Sequence, residues 1–290
     1  EFPYNSRMRA PLSAVLITRN VASRLEACLQ SCAFADEIVV VDSGSTDATL
    51  DIARRFNAKV VHQDWLGFGR QKQFAVSQAS HDWVLCMDAD ERVSDALRAS
   101  ILKELEAPRF QAYEFPRCNR FLGRWLRHGE GYPDWSLRLF DRRRARWSDD
   151  PIHEKVVTDA PVGRLEGDLL HESEAGLADY LAKQNRYTTL QAERLHARGR
   201  RASAARTLLS PPLRFLKFYF LRLGFLDGVP GLIHILVGCF NSFMKYAKLL
   251  ELRRTGKYEC RETTAWMQEV EQRREQLPRQ DAESDQKKPR

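Results

Sequence analysis

The feature that most constrains the fold of this chain is the rhythm of its first hundred residues. Short apolar runs at Ala14 to Ile17, Glu37 to Val41, Lys59 to His62 and Trp83 to Met87 alternate with stretches at helical spacing, Arg24 to Ser31, Asp47 to Phe56 and Gln71 to Ala79. Strands of that length, apolar on both sides and separated by amphipathic helices, predict an α/β fold whose mostly parallel sheet is covered on both faces. Ligands of such sheets bind at the carboxyl ends of the strands. Those ends therefore carry the functional expectation.

Two of the ends are acidic. The run Val39 to Val41 leads into Asp42-Ser43-Gly44-Ser45-Thr46-Asp47, a carboxylate followed by a turn and a helix start, with Asp47 expected as the N-cap. Asp42 is placed to accept hydrogen bonds from a base or ribose; a plain strand-to-helix turn is the competing reading. The run Trp83 to Met87 leads into Asp88-Ala89-Asp90-Glu91. Two aspartates one residue apart can direct hard oxygen donors at a divalent cation, which would neutralise a diphosphate.

After about residue 107 the pattern breaks into short strands rich in arginine and aromatics, at Tyr113 to Pro116, Ser136 to Phe140 and Arg164 to Leu170, and this half is expected to face a second substrate. Helical spacing resumes from Leu177 to Arg198, and Gln268 to Arg290 is almost wholly polar, as in a frayed or disordered tail. The expected organisation is a catalytic domain over 10–175, divided near 106, a helical extension over 176–267, and the polar tail. Six cysteines without a C-x-x-C pair disfavour a zinc knuckle or disulfide framework and point to a reducing, cytosolic setting. The first twenty residues lack the pattern of a signal peptide.

The residues around the two acidic ends resemble those of inverting family 2 glycosyltransferases of the GT-A class. Thr18-Arg19-Asn20 is similar to the family's T-x-N segment, Val41 to Thr49 to its V-D-D-G-S-x-D-x-T, and Asp88-Ala89-Asp90 to its D-x-D. Ser43 departs from the second aspartate of many members, which leaves Asp42 as the single carboxylate for the base; Lys72-Gln73 departs from Arg-Asn or Lys-Asn. Further along, Tyr132 to Phe140, Ile152-His153-Glu154, His171-Glu172-Ser173 and Phe225 to Gly228 are similar to the bacterial lipopolysaccharide core β-1,4-glucosyltransferase subgroup, a likeness that spans about Pro11 to Leu252.

The resemblance implies a Rossmann-like mixed sheet with a C-terminal helical extension, a UDP-glucose donor, a divalent metal (Mg or Mn) and a lipid-anchored saccharide acceptor. It implies nucleotide-sugar-binding roles for Thr18, Asn20, Asp42, Ser45, Lys72, Asp88 and Arg138, and Asp90 as metal ligand, with Asp88 toward ribose or metal. Glu154 and Asp134 are the two candidates for the base that deprotonates the acceptor, Glu154 being favoured by analogy. His153 and His171 are candidate additional metal ligands, or serve local hydrogen bonds; Arg138 reaches the diphosphate or a phosphorylated acceptor, or lies on a solvated strand face. Polyprenyl phosphate or protein as acceptor, and a non-catalytic nucleotide-sugar-binding protein, are the alternatives.

Charge enters the argument last. The net charge is +7, with 46 lysines and arginines against 39 aspartates and glutamates, yet the expected chemistry at Asp42, Asp88, Asp90, Glu91 and Glu154 is acidic. The basic excess sits at Arg198, Arg200, Arg201, Arg206, Arg214, Lys217 and Arg222, interleaved with Phe215, Phe218, Tyr219, Phe220 and Phe225, and no acidic residue falls between Glu193 and Asp227. That composition suits an anionic membrane surface and a peripheral protein on the inner face of the cell membrane. No helix-turn-helix, zinc-finger or RNP-like pattern accompanies the charge, which argues against nucleic acid. The apolar stretch Val229 to Phe243 is expected to be too short to span, at about 15 residues against the roughly 20 required, and Val229 to Leu252 either packs on the domain or meets the membrane.

Overall fold

The computed structural model describes residues 9–149, 154–172, 176–201 and 203–255; His153 and the polar tail at 268–290 lie outside them. The described part of the chain separates into two compact units, Glu1–Ala175 with Phe215–Leu236, and Gly176–Arg214 with Val237–Arg290. The residues from 176 onward thus do not form one body, because Phe215–Leu236 returns to the strands.

The first unit opens with β1 (Leu12–Thr18), α1 (Ala22–Ser31), β2 (Glu37–Asp42), α2 (Thr49–Arg55), β3 (Lys59–His62), α3 (Phe68–Ser77) and β4 (Trp83–Asp88). It continues through β5 (Glu91–Val93), α4 (Asp95–Glu106), β6 (Ala112–Phe121), β7 (Arg124–Trp125), β8 (Asp134–Asp141), β9 (Ala145–Trp147), β10 (Val156–Thr158), β11 (Val162–Arg164) and β12 (Leu169–Glu172). The main sheet runs β3-β2-β1-β4-β8-β6-β12-β5, with β7 and β11 also paired to β6, while β9 and β10 form a separate ribbon. Strands β1 to β4 are mutually parallel where they pair; β8 enters antiparallel to both β4 and β6, and β5 antiparallel to β12. The expected α/β class, a Rossmann-like mixed sheet, is the class observed.

The period of two along each strand divides the core. On one face Ala14, Leu16, Val40, Leu85 and Met87 pack with Leu25, Leu29, Ile52, Leu97 and Ile101 from the helices. On the other, Val15, Val39, Val41, Val84 and Cys86 pack with Ala75, Val76 and Trp147. Each such side chain taken fully out of water contributes about 1.5–3 kcal/mol, and the doubly covered strands fix the positions of their carboxyl ends.

Three local expectations are corrected. Asp47 is not the helix cap: α2 starts after Ala48, whose side chain offers no acceptor, and Asp47 instead accepts from the N–H groups of Thr49 (3.0 Å) and Ala22 (3.1 Å). The strand expected over Arg164 to Leu170 is two strands, β11 and β12, which pair side by side with successive parts of β6. The apolar stretch Val229 to Phe243, expected to be too short to span, is part of α7, a continuous 28-residue helix, Gly228–Thr255, long and apolar enough to cross a bilayer by length and composition. Pro230 falls in its first turn, where the missing N–H has no intrahelical partner to lose.

The second unit is built from α5 (Leu177–Ala197), most of α6 (Ala204–Phe215) and the later turns of α7. Ala192, Leu249 and Leu252 form its small core. The Lys248 ammonium is buried there against the Asn185 carbonyl, the Asn185 Oδ1 and the Thr188 and Thr189 hydroxyls, at 2.7–2.8 Å.

Candidate active site

Because β1 lies between β2 and β4, register alone brings three strand ends together: Thr18 pairs with Asp42, and Ile17 with Asp88. Around Asp42 the turn closes on itself. Its Oδ1 accepts from the hydroxyls of Thr18 (2.9 Å) and Ser45 (2.5 Å), and its Oδ2 from the N–H groups of Gly44 (2.9 Å) and Ser45 (2.7 Å). Gly44 makes this possible, since its φ of +84° is a conformation that side chains resist. Asn20 locks the neighbouring loop: its N–H donates to the Ser45 hydroxyl (2.8 Å) and its Oδ1 accepts from the Thr46 N–H (2.7 Å). Thr18, Asn20, Asp42 and Ser45 are thereby one knit platform.

Asp88 is held differently. Its Oδ1 lies 3.0 Å from the Lys72 ammonium and its Oδ2 2.8 Å from Arg138 Nη2. Burial pushes the Asp88 carboxyl up, but Arg138 and Lys72 outweigh it and hold the group well below the usual carboxylate range. Glu91, fully buried, accepts from the Asp88 N–H (2.9 Å) and pairs with Arg138 (3.3 Å) and Arg117 (3.7 Å). Burial, opposed by Arg138, raises its carboxyl. For Arg138, burial works against the charge, but Glu91 and Asp88 overcome it and stabilise the guanidinium.

The two candidate bases close the ends of this network. Glu154 Oε1 is 3.4 Å from Lys72 Nζ. Gly69, one turn before Lys72 in α3, permits that approach: a side chain there would meet the Ser148 carbonyl at 2.3 Å and the Glu154 Cβ at 3.4 Å. Asp134, at the start of β8, is held by Arg117 through Nη2 at 2.8 Å and Nε at 3.0 Å. The result is a line of alternating charge, Glu154, Lys72, Asp88, Arg138, Glu91, Arg117, Asp134, in which four carboxylates meet three cations. Beneath it lies the buried Trp147 ring, 4.7 Å from Lys72 Nζ and 5.3 Å from Arg138 Cζ.

Asp90 stands outside the line. Its Oδ2 faces His171 Nε2 at 3.3 Å and Arg24 Nη1 at 3.6 Å. His171 Nδ1 is 2.8 Å from Asn119 Oδ1, a contact that fixes the orientation of the ring. The ring thereby presents Nε2 to the Asp90 carboxylate, the arrangement of an imidazole oriented by a partner behind it. Asp90 and His171 thus fit a divalent ion as two donors, whereas both oxygens of Asp88 are already engaged by fixed cations. Among the described residues no cluster of three or more histidine, cysteine or acidic donors is assembled, so phosphate or water oxygens would complete such a shell. Arg117, Asn119, Trp147 and Arg24 were not singled out in the sequence; only their strand positions, alternating with apolar neighbours, hinted at an inward role for Arg117 and Asn119.

Comparison with known proteins follows the same line. The model of the family described as Glycosyl transferase family 2 matches residues 13–164. A lipopolysaccharide core biosynthesis glycosyltransferase, LpsC, of Rhizobium meliloti (strain 1021) is 32% identical over 256 residues, covering 84% of this chain and 93% of the relative. An uncharacterized glycosyltransferase of Rickettsia typhi is 31% identical over 254 residues, covering 83% and 87%. Among solved structures, S. aureus TarS 1-349 in complex with UDP-GlcNAc is similar at a TM-score of 0.44 and 16% identity, covering 86% of this chain and 93% of that one. The glucosyl-3-phosphoglycerate synthase of Mycobacterium tuberculosis, solved with Mn2+ and UDP-glucose, is similar at a TM-score of 0.33 and 24% identity over 38% and 44%.

Proposed function

Because the chain belongs to glycosyl transferase family 2, we propose that it is an inverting transferase carrying a hexose, glucose by preference, from a UDP-sugar to the inner core of a lipopolysaccharide. The acceptor is lipid-anchored, so the work is done by a peripheral protein at the inner, cytoplasmic face of the cell membrane. The observation that carries the reading is the charge line that meets the sheet at the carboxyl end of β4, beside the ends of β1 and β2, and offers a carboxylate near fixed cations at the place where open α/β sheets bind ligands.

Within it the residues divide the labour. The Thr18–Asn20–Asp42–Ser45 platform positions the nucleoside, and Lys72, Asp88 and Arg138 face the ribose and diphosphate. Asp90 and His171 hold a divalent ion, which when bound supplies positive charge to the departing diphosphate. Glu154 accepts the acceptor's proton as the acceptor oxygen bonds to the anomeric carbon and the bond to the diphosphate breaks. It is preferred to Asp134 because the latter is clamped by two Arg117 nitrogens, whereas Glu154 meets Lys72 through a longer contact of 3.4 Å.

The test follows radiolabelled sugar from UDP-glucose into lipopolysaccharide, polyprenol and protein fractions. Label in lipopolysaccharide is expected, and Glu154→Gln should cut turnover by roughly a thousandfold or more while nucleotide-sugar affinity stays near wild type. Loss of that kind in Asp134→Asn instead moves the base to Asp134. Label in the polyprenol or protein fraction, or no turnover, replaces the acceptor or the enzymatic reading. For the ion, Asp90→Asn should abolish the extra thermal stabilisation that manganese gives to the UDP complex.

A further inference from the structure

We infer that the segment Leu216–Val229 is a fixed hook by which the catalytic unit inserts shallowly into an anionic lipid surface. The segment follows α6 as a π-helical stretch, Leu216–Leu221, and a 3-10 turn, Gly224–Asp227. Leu216, Phe220, Leu221, Leu223, Phe225 and Val229 are all exposed, Leu221 at 80% and Val229 at 67% of their accessible surface. Single exposed apolar side chains are ordinary, but this many within one short segment mark a surface that meets something apolar.

The exposure is not that of a loose loop. Asp227, only 2% exposed, turns inward and accepts from the N–H groups of Arg127 (3.0 Å) and His128 (2.8 Å), with His128 Nδ1 3.0 Å from its other oxygen. The Gly129 N–H donates to the Arg222 carbonyl (2.9 Å), and Arg124 to the Leu226 carbonyl (2.8 Å). Tyr219 binds the segment together, its ring 5.0 Å from Phe215, 5.1 Å from Phe220 and 6.0 Å from Phe225. The backbone is strapped down while its apolar side chains face out.

Charge chooses the occupant. With Asp227 buried, the outward groups of the segment are apolar or, at Lys217 and Arg222, cationic. An apolar wedge rimmed by cations matches an anionic headgroup layer over acyl chains. The strap at Arg127 to Gly129 also lies in the loop that enters β8, the strand carrying Asp134 and Arg138, so insertion would set the acceptor edge against the membrane. The inference deepens the reading of a lipid-anchored acceptor and differs from spanning by Gly224–Thr255, which is long and apolar enough to cross a bilayer by length and composition.

The experiment is co-flotation of the full chain with phosphatidylcholine vesicles, with and without phosphatidylglycerol. Binding should require phosphatidylglycerol; Phe220→Asp with Leu221→Asp should weaken it by about tenfold or more at any salt, and Lys217→Gln with Arg222→Gln by several-fold at low salt only. Hydrolysis of UDP-sugar in buffer should be the same for the wild type and both double variants, so a failed hook is distinguishable from a failed assignment of the chemistry. Unchanged flotation of the aspartate variant overturns the hook. So does resistance of bound protein to alkaline carbonate, which would assign a span, or loss of a wild-type dimer without loss of lipid binding, which would assign a self-association surface.

Discussion

Asp42 and Asp88 end neighbouring strands on either side of β1, each after an apolar run and before a polar turn, yet their surroundings share almost nothing. Asp42 is saturated by four neutral donors from its own turn and from Thr18. Asp88 is balanced by two full charges that arrive from α3 and β8. The difference teaches that a carboxylate at a strand end is scaffold where local hydroxyl and amide donors fill it, and electrostatic machinery where distant cations do. In the second case its energetics belong to a line of charges rather than to a turn.

The largest expected effect that would break this contrast is Arg138→Met. It removes a guanidinium shared by Asp88 and the fully buried Glu91, and breaking a buried ion pair on one side costs about 3–5 kcal/mol. The sign with pH is fixed by the two carboxyls. Glu91, already raised in the folded state, rises further without Arg138, so its penalty is present at neutral pH and fades as pH falls through its folded value. Asp88, depressed in the wild type, gives stability above its unfolded value near 4 that is lost as pH drops toward its folded value, so the wild type loses what the variant already lacks. Urea unfolding should therefore show a gap widest near pH 7 that narrows by pH 4. A gap of less than about 1 kcal/mol, or one independent of pH, would place Arg138 with the neutral scaffold.

How much of this was legible in the sequence follows from the same contrast. Strands β1, β2 and β4 could be read because parallel strands covered on both faces are apolar almost throughout, and β3, the edge strand, from its Val60-Val61 pair; the ends of all four came out within two residues. On the acceptor side β8 was bounded as closely, but β6 was not, because it runs ten residues through Pro116 and on past Arg117 and Asn119, whose polar side chains meet partners on other elements. Asp88 and Asp90 could be singled out as paired carboxylates at a strand end, Arg138 as a cation within an apolar strand, and Lys72 through the family resemblance. Their pairing could not, since Lys72 meets Glu154 across 82 positions and Arg138 meets Asp88 across 50. The hook was visible as composition, but its inward anchor, Asp227 against the loop at Arg127 and His128, is a contact about 100 residues long.

The smallest expected effect, and the one that sharpens the comparison, is Asp42→Asn. The amide oxygen keeps the N–H donors of Gly44 and Ser45, while the Thr18 and Ser45 hydroxyls must reverse from donor to acceptor for the new NH2, so two charge-assisted hydrogen bonds inside the turn are replaced by weaker neutral ones. At a site 2% exposed that should cost about 1–3 kcal/mol, measured as a lower urea midpoint at unchanged slope. Nucleotide affinity should fall only as far as the turn from Ser43 to Asp47 loosens, and Ser45→Ala, which removes one of the donors to Asp42 and the acceptor of the Asn20 N–H, should reproduce a part of both effects. Calorimetric titration with UDP alongside unfolding separates the roles. If Asp42→Asn leaves stability intact but abolishes UDP binding, the carboxylate touches the nucleotide directly, and the two strand ends would then be alike in function while differing only in what fills them before the donor arrives.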